Sequence, residues 1–356
     1  RDCMEPHPDY SVDTLNQVFI ALYKQLTREL DGKELSEVID YTRRGNMNIG
    51  FTELVEQINI YNVLSSWVTM DKRDLEGFNV NQNKDLKLNW PSVMELNPSA
   101  NSLPIEIEVL AQDDAPRYCG LTIRNVKVAP SPEWLQQSLR TIGLSPINNV
   151  VDITNYVMHE LGTPLHAFDY SKTNGKIVVK KAIEGEEFIT LDGEKHKLSS
   201  QDLMITNGEN SLCIAGVYGG LASGVSENTN SIFLEAAYFN PVSIRKTAKK
   251  LGLHTDASFR FERGVDVNIV PFALKRAASL IVELCNGELA TELIDCYPTP
   301  IEKVKVSFST TRCKSLIGKE IDTNVISKIL QQLDINISKI SDENWELDIP
   351  QYRADV

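Results

Sequence analysis

The sequence contains no closely spaced cysteine pair. Its six cysteines lie at Cys3, Cys119, Cys213, Cys285, Cys296 and Cys313 of a 356-residue chain. A structural zinc site or a disulfide framework needs cysteines grouped at short, regular spacing, so neither is expected. Scattered single cysteines are typical of the reduced thiols of a cytoplasmic protein, and we expect this chain to be cytoplasmic.

Long apolar runs and an excess of positive charge are also missing. No stretch approaches the roughly 18 consecutive apolar residues that a membrane helix needs, and no basic and apolar leader opens the chain. The 36 Lys and Arg are outnumbered by 49 Asp and Glu, so the net charge is −13. This balance argues against a protein that coats nucleic acid by bulk charge, although a local basic patch can still contact it. The start at Arg1 and the abrupt end at Val356 suggest a piece of a longer protein.

Patterns along the chain predict several domains. At about 100–200 residues per domain, the length corresponds to two or three domains. We predict a helical region of unassigned role at 1–78, an Asn- and Pro-rich linker at 79–104 and a mixed region at 105–300. A smaller domain, read as strand, helix, helix and hairpin, follows at 303–356. Because strands and helices mix without regular alternation, the expected fold class is α+β.

Capping residues predict where the helices of the mixed region begin and end. Ser131, followed by proline and an acid, predicts the N-cap of one helix. Asp152 predicts the cap of the next helix, which ends at Gly162. Asn240 and Gly252 bracket a third helix in the same way.

The stretch 152–169 is the strongest candidate for a functional site. A polar helix face at Thr154 and Asn155 leads through a Gly-Thr-Pro turn to His166. A histidine on a loop behind a rigid helix occupies a position where loops often carry function. The alternative is that His166 only caps or packs.

One carboxylate interrupts an otherwise apolar strand. Glu235 shares one face of the predicted strand 231–239 with Phe233 and Ala237, and the other face is apolar too, which predicts a buried central strand. A carboxylate there is costly unless something pairs with it. It could hydrogen-bond a ligand hydroxyl, or it could form a structural ion pair with a nearby arginine.

The Gly-rich stretch 215–224 and a basic patch are weaker candidates. The stretch fits neither the Walker pattern nor GxGxxG, so its glycines serve either the close approach of a ligand or a tight turn.

The basic patch contains Lys249, Lys250, Arg260 and Arg263, interleaved with phenylalanines. It could contact a phosphate backbone, or it could be a solvated helix end with internal salt bridges. No motif singles out a nucleophile.

Together these segments resemble the β subunits of bacterial-type phenylalanyl-tRNA synthetases. The matching motifs are the Thr-Asn-Tyr and Pro-Leu-His-Ala-Phe-Asp elements of 152–169, Phe-Leu-Glu-Ala-Ala at 233–237, Asn-Pro-Val-Ser-Ile-Arg-Lys-Thr-Ala at 240–248, and the run 254–266. The resemblance covers about 105–300 and implies the mixed-sheet B3/B4 editing module. The tail resembles the start of a small α/β B5 domain, whereas residues 1 to about 90 match no usual N-terminal domain of the family.

The resemblance implies hydrolytic proofreading of tRNA(Phe) that has been mischarged with tyrosine. Glu235 would read the tyrosine hydroxyl, because a site that accepts Tyr and rejects Phe needs a polar group there. His166, with Thr154 and Asn155, would position the ester, the terminal ribose or the attacking water. Three small or polar residues match positions that shape the family's pocket: Gly219, Thr255 and Ala257.

Partners and cofactors are implied by the same resemblance. The partners are tRNA(Phe) and the α subunit of an α2β2 enzyme, with no membrane, and nucleic-acid contact is assigned to the basic patch. Editing needs no cofactor, whereas the full synthetase uses ATP and Mg2+. Asp355 matches the first member of an acidic magnesium cluster whose other members would lie past Val356, so an incomplete metal site is expected. Ser145 stands where some family members carry Arg.

Two alternatives to an editing hydrolase stay open. A non-catalytic scaffold fragment could bind tRNA or the α subunit, and salt-dependent tRNA binding without turnover would favour it. A stand-alone small-molecule hydrolase could use His166, and turnover of free tyrosine esters would favour that reading.

Overall fold

The computed structural model describes residues 90–96, 98, 103–341 and 343–353. The predicted helical region 1–78 lies outside these residues, as do residues 79–89, 97 and 99–102 of the predicted linker 79–104. Within the described part, strands and helices mix in an α+β fold, as the sequence predicts. No helix of that part combines the length and apolar character needed to cross a membrane.

Two five-stranded sheets build the larger part of the described structure. The first sheet contains, in spatial order, β1 (Glu106–Val109), β4 (Lys176–Lys181), β7 (Leu203–Thr206), β8 (Ser211–Ile214) and β9 (Tyr218–Gly219). The second sheet contains β11 (Glu288–Leu289), β2 (Arg117–Arg124), β10 (Ile232–Tyr238) and β3 (Leu165–Asp169), with β12 (Ile294–Cys296) also on β2. All strand pairs are antiparallel except β1 with β4.

Five α-helices, one 3-10 helix (Tyr170–Lys172) and one hairpin accompany these sheets in the described part of the chain. The helices are α1 (Glu133–Thr141), α2 (Asn149–Leu161), α3 (Pro241–Leu251), α4 (Asp256–Phe261) and α5 (Val270–Cys285). The hairpin joins β5 (Glu187–Ile189) to β6 (Lys195–Lys197). Its turn contains Gly193 at φ +84°, a conformation that favours glycine.

Strand β10 is the centre of the second sheet, between β2 and β3. Its Phe233 and Ala237 belong to one apolar core with Ile177 and Ile205 of the first sheet. Helix α5 packs against β2 and β10, and α2 packs against α5. Both faces of β10 are therefore covered, which explains why the residues on both faces are apolar or aromatic except at Glu235.

Two predicted caps in this part are wrong. The hydroxyl of Ser131 does not cap α1 but donates to Asp152 Oδ2 at 2.6 Å. Asp152 therefore lies within the first turn of α2 and not at its cap. Its carboxylate also accepts a hydrogen bond from the backbone N–H of Ile147. The cap of α2 is Asn148, whose side chain accepts from the backbone N–H groups of the first turn. By contrast, Asn240 caps the N-terminus of α3 as predicted. The helix ends at Gly252, whose backbone has the left-handed conformation.

The C-terminal residues form a separate small sheet with its own core. The elements are β13 (Val304–Ser309), α6 (Thr310–Ile317), α7 (Thr323–Gln332), β14 (Asn336–Ile340) and β15 (Asn344–Ile349), and the strand order is β13–β15–β14. Apolar residues of both helix and strands fill the space between them: Ile326, Ile335, Trp345, Leu347 and Ile349. The predicted order of strand, helix, helix and hairpin is confirmed.

Candidate active site

A cavity of about 610 Å³ opens between α2, β3, β10, the Gly-rich stretch and the start of α4. Seven residues singled out in the sequence line it: Thr154, Asn155, His166, Gly219, Glu235, Thr255 and Ala257. They come from five separate parts of the chain, so the fold brings them together from positions that are distant in sequence. Their roles in this cavity stay predictions.

Strand pairing sets Glu235 and His166 side by side. The two residues are direct partners in the antiparallel register of β10 and β3. Side chains of such partners lie on the same face of a sheet, with Cβ atoms about 5 Å apart. On the other side of β10, Glu235 is opposite Gly120 of β2, where the ring of Phe233 fills the space of a side chain.

Glu235 is almost completely buried, with 5% of the residue exposed. The phenol of Tyr118 on β2 donates a hydrogen bond to Glu235 Oε2. Burial raises the pKa of Glu235 to about 8, and the bond from Tyr118 opposes that rise. No ion pair with an arginine involves Glu235 in the described part of the chain, so the polar partner of this carboxyl is a phenol.

His166 presents an unpaired nitrogen at the cavity wall. Its Nε2 is buried and has no hydrogen-bond partner among the described residues. Burial lowers the pKa of His166 to about 4, so the imidazole is neutral near pH 7. The ring contacts Phe168 edge-on, with 4.5 Å between centroids. A buried imidazole nitrogen without a protein partner is suited to meet a ligand or a water molecule.

Two polar residues of α2 reach the same cavity. The hydroxyl of Thr154 donates to the backbone oxygen of Val151 at 2.7 Å, which leaves its lone pairs as acceptors. The side chain of Asn155 makes no hydrogen bond within the described residues, whereas its backbone oxygen is 2.9 Å from His159 Nδ1. The amide of Asn155 is therefore available as both donor and acceptor.

The Gly-rich stretch contains a tight turn, one of the two purposes that the sequence left open, whereas the close approach of a ligand stays a prediction. A side chain at Gly219 would come within 3.0 Å of His166 Cε1 and 2.8 Å of Leu191 Cδ1, so only glycine keeps this approach unhindered. Gly216 has φ +66°, which is a turn conformation.

Thr255 joins helix α4 to the Gly-rich stretch. Its hydroxyl donates to the backbone oxygen of Val217 at 2.9 Å and accepts from the N–H of Ser258 at 3.0 Å. The capping box that results fixes the first turn of α4, where Ala257 faces the cavity. A residue larger than alanine at this position would project into the cavity.

The four residues of the basic patch lie away from the cavity lining. Lys250 forms an ion pair with the buried Asp202, Arg260 bonds Asp256, and Arg263 bonds Glu262. The Arg263 guanidinium also lies 3.5 Å from the ring centroid of Phe259. Lys249 is exposed and forms no ion pair in the described part of the chain. Internal salt bridges thus engage three of these cations, and contact with nucleic acid stays a prediction.

Metal binding at Asp355 also stays a prediction, because that residue lies outside the described ranges. Within residues 90–96, 98, 103–341 and 343–353, no group of three or more His, Cys, Asp or Glu side chains is arranged to hold a metal ion.

Sequence reasoning missed Tyr118, the hydrogen-bond partner of Glu235. The strand-forming residues Tyr118, Leu121, Thr122 and Ile123, although interrupted by Gly120, could have indicated a strand. It could not have indicated the pairing of β2 with β10, and that pairing is what brings the phenol to the carboxyl.

Comparison with known proteins identifies two domains in the chain. The B3/4 domain model matches residues 114–286, and the tRNA synthetase B5 domain model matches residues 306–356. A phenylalanine–tRNA ligase beta subunit from Bacteroides fragilis is 47% identical over 285 residues, which are 80% of this chain and 35% of the relative. The corresponding subunit from Porphyromonas gingivalis is 50% identical over 255 residues, 71% of this chain and 31% of the relative.

The chain spans about a third of the length of these curated relatives. A solved N-terminal fragment of the phenylalanyl-tRNA synthetase beta subunit from Pyrococcus horikoshii aligns with 15% identity, 80% coverage of both chains and a TM-score of 0.37, a likeness too slight to bear on the assignment. The two domain matches and the sequence identities, however, agree with each other and with the motifs. The chain belongs to the family of phenylalanine–tRNA ligase beta subunits, and it contains their B3/4 domain followed by B5 sequence.

Proposed function

We propose that the cavity hydrolyses the ester bond of tRNA(Phe) that carries tyrosine instead of phenylalanine. The observation that carries this proposal is the pairing of Glu235 with His166 on one cavity wall. The carboxyl of Glu235 can recognise a hydroxyl group of a substrate. The imidazole of His166, its neighbour on the cavity wall, has an unpaired Nε2. Recognition and hydrolysis would therefore take place within one site.

Glu235 provides the discrimination in this proposal. The residues on either side of it in β10 are apolar, and its Oε2 already accepts a hydrogen bond from Tyr118. A tyrosyl group would bring a hydroxyl to the remaining oxygen, whereas a phenylalanyl group would bury that oxygen without a partner. An unpaired buried polar group costs about 1–3 kcal/mol, and sites built on this penalty reject the hydroxyl-free analogue strongly.

Hydrolysis in this proposal uses a positioned water molecule and no covalent nucleophile. The water oxygen bonds to the ester carbonyl carbon, the bond from that carbon to the ribose oxygen breaks, and a proton passes to the departing ribose oxygen. His166 would orient the water or the ribose hydroxyl through its neutral Nε2. Thr154 and Asn155 would hold the ester or the ribose through the free hydrogen-bonding groups described above.

The wider biochemical setting follows from the family and belongs to the same proposal. The substrate-bearing partner is tRNA(Phe), the protein partner is the synthetase α subunit in an α2β2 enzyme, and the location is cytoplasmic. ATP and Mg2+ would serve aminoacylation by the full synthetase, whereas the proposed hydrolysis calls for no cofactor. The alternative is a scaffold fragment that binds tRNA or the α subunit without turnover.

The direct test is the release of tyrosine from Tyr-tRNA(Phe) by the full 356-residue chain. Phe-tRNA(Phe) and a chain with Glu235→Ala serve as controls. Selective release of tyrosine that is lost in the variant would support a self-contained editing site. Binding of tRNA without any release, also after the α subunit is added, would contradict the proposal and favour the scaffold.

A further inference from the structure

Tyr118 is a fully buried phenol that bonds directly to the proposed specificity residue. Its side chain has 0% exposure, and its hydroxyl donates to Glu235 Oε2. In the β2–β10 register, Tyr118 pairs with Ala237, two residues from Glu235, so the phenol and the carboxyl lie on the same face of the sheet. The ring also packs near Phe239, with 6.5 Å between centroids.

The two oxygens of the Glu235 carboxyl have different surroundings. Oε2 accepts from Tyr118, and within the described residues no hydrogen bond reaches Oε1. Glu235 itself lines the cavity. The last torsion of a glutamate side chain is broad and weakly restrained, so without an anchor the orientation of the carboxyl plane would be poorly defined. A single bond from a rigid donor removes that freedom.

We infer that Tyr118 is a positioning residue for substrate selection, which fixes the Glu235 carboxyl through Oε2 and leaves Oε1 to meet the hydroxyl of a tyrosyl substrate. This inference rests on the proposed editing function. In the bound state, one carboxyl group would be shared by two phenols, one from the protein and one from the substrate. Oε1 would accept from the substrate hydroxyl when the carboxyl is ionised, and it would donate to that hydroxyl when it carries the proton.

No other side chain of the described structure hydrogen-bonds to Glu235. The titratable groups that face Glu235 are Tyr118 from β2, His166 from β3 and Cys213 from β8. The thiol of Cys213 is directed to the backbone oxygens of Ile214 and Tyr218 instead. Loss of the Tyr118 hydroxyl would therefore leave the carboxyl in place but without its anchor.

The test compares the full chain with Tyr118→Phe, which keeps the ring and removes only the hydroxyl. Binding is measured with two non-hydrolysable ligands, the 3′-amide analogues of tyrosyl-adenosine and phenylalanyl-adenosine. We expect the preference for the tyrosyl analogue to fall about tenfold, in line with the loss of one strong hydrogen bond, while the affinity for the phenylalanyl analogue stays unchanged. In a Glu235→Gln background, Tyr118→Phe should have at most a minor further effect on the preference.

A control variant removes a phenol hydroxyl outside the cavity. Tyr170 donates to the backbone oxygen of Pro104, and Tyr170→Phe should change neither affinity. An equal loss of affinity for both analogues in Tyr118→Phe, or the same loss of preference in the Glu235→Gln background, would overturn the inference. A wild-type chain that binds both analogues equally would instead overturn the proposed function, and with it this inference.

A second readout needs no substrate. The hydrogen bond from Tyr118 lowers the pKa of Glu235 relative to burial alone, so its removal should raise that pKa above the value of about 8 in the wild type. Carboxyl titration by NMR of the 13C-labelled chain would measure it, and a thermal melt would show that Tyr118→Phe still folds. An unchanged pKa in a folded variant would contradict the proposed anchoring.

Discussion

Glu235 and His166 are directly opposed across two antiparallel strands, and burial shifts their pKa values in opposite directions. The pKa of Glu235 rises to about 8, and that of His166 falls to about 4. Near pH 7 the carboxyl is therefore largely protonated and the imidazole is neutral. The cavity wall presents two hydrogen-bonding groups with little net charge, which suits the recognition of an uncharged phenol.

Replacing the carboxyl group should change selectivity more than rate. In Glu235→Ala, the tyrosyl ester no longer has a carboxyl to bond its hydroxyl, so nothing at this position distinguishes it from the phenylalanyl ester. The ratio of the two hydrolysis rates should therefore fall about 10- to 100-fold. Initial rates with Tyr-tRNA(Phe) and Phe-tRNA(Phe) measure this ratio. The exposed Glu187 offers a matched control, since Glu187→Ala should leave the ratio unchanged. Unchanged selectivity in Glu235→Ala would remove the proposed role of this residue.

Replacing the imidazole should lower turnover without unfolding the chain. In His166→Ala, a group that orients the water or the ribose is lost, so turnover should fall about 10²-fold or more. The thermal melt should stay close to that of the wild type, because Nε2 makes no hydrogen bond within the described structure. If the melting temperature falls steeply along with turnover, His166 serves packing and not hydrolysis.

The pH dependence of turnover should lack the usual histidine inflection. The pKa of His166 is lowered to about 4, so the neutral form is present at every pH above that value. Rates between pH 5 and pH 7, corrected for spontaneous hydrolysis, should show no step near 6.5, the pKa of an unperturbed histidine. A step there that disappears in His166→Ala would show that the imidazole is more solvated than its buried position indicates.

A bulky side chain at the start of α4 should block the cavity. Ala257 lines the cavity, so in Ala257→Trp the indole would occupy the space of the aminoacyl group, and turnover should fall below detection. Ala222→Trp is the control, because Ala222 is exposed and lies outside the cavity lining. Full activity of Ala257→Trp in a correctly folded chain would mean that hydrolysis takes place elsewhere.

Contact of the basic patch with tRNA should be visible in the salt dependence of binding. Lys249 is exposed and free of ion pairs within the described residues, so it can neutralise a phosphate without breaking an internal bond. In Lys249→Ala, the slope of log K against log salt should decrease by about 1. Lys319→Ala, on the exposed surface of the C-terminal domain, should leave the slope unchanged. Equal slopes in the wild type and Lys249→Ala would exclude this lysine from the interface.

Local patterns in the sequence are sufficient to predict most of the elements. The apolar faces of 231–239 predict the buried strand β10, and Asn240 with Gly252 predicts the limits of α3, because both signals act within a few residues. The caps at Ser131 and Asp152 fail for the opposite reason. These two side chains bond to each other across 21 positions of sequence, and no local pattern carries that information.

The composition of the cavity could be predicted only in part. The motifs single out seven residues that line one cavity, and the resemblance to a family supplies their grouping. The strand register that opposes Glu235 to His166, and the hydrogen bond from Tyr118, depend on pairing between strands that are about 70 to 120 positions apart. Such pairings follow from the packing of the whole domain and not from spacing.

The positions of the lining residues along the chain determine how much of the chain must be kept if the cavity is transferred to another protein. All residues that line the cavity fall between Ile147 and Phe261. Two elements that support its walls, β2 and α5, lie outside that stretch, at Arg117–Arg124 and Val270–Cys285. A transplant of the lining segment alone would lose the phenol that anchors Glu235 and the helix that covers β10. The smallest unit that could be moved into another protein therefore starts before Arg117 and ends after Cys285. The C-terminal sheet has its own core and contributes no residue to the lining of the cavity.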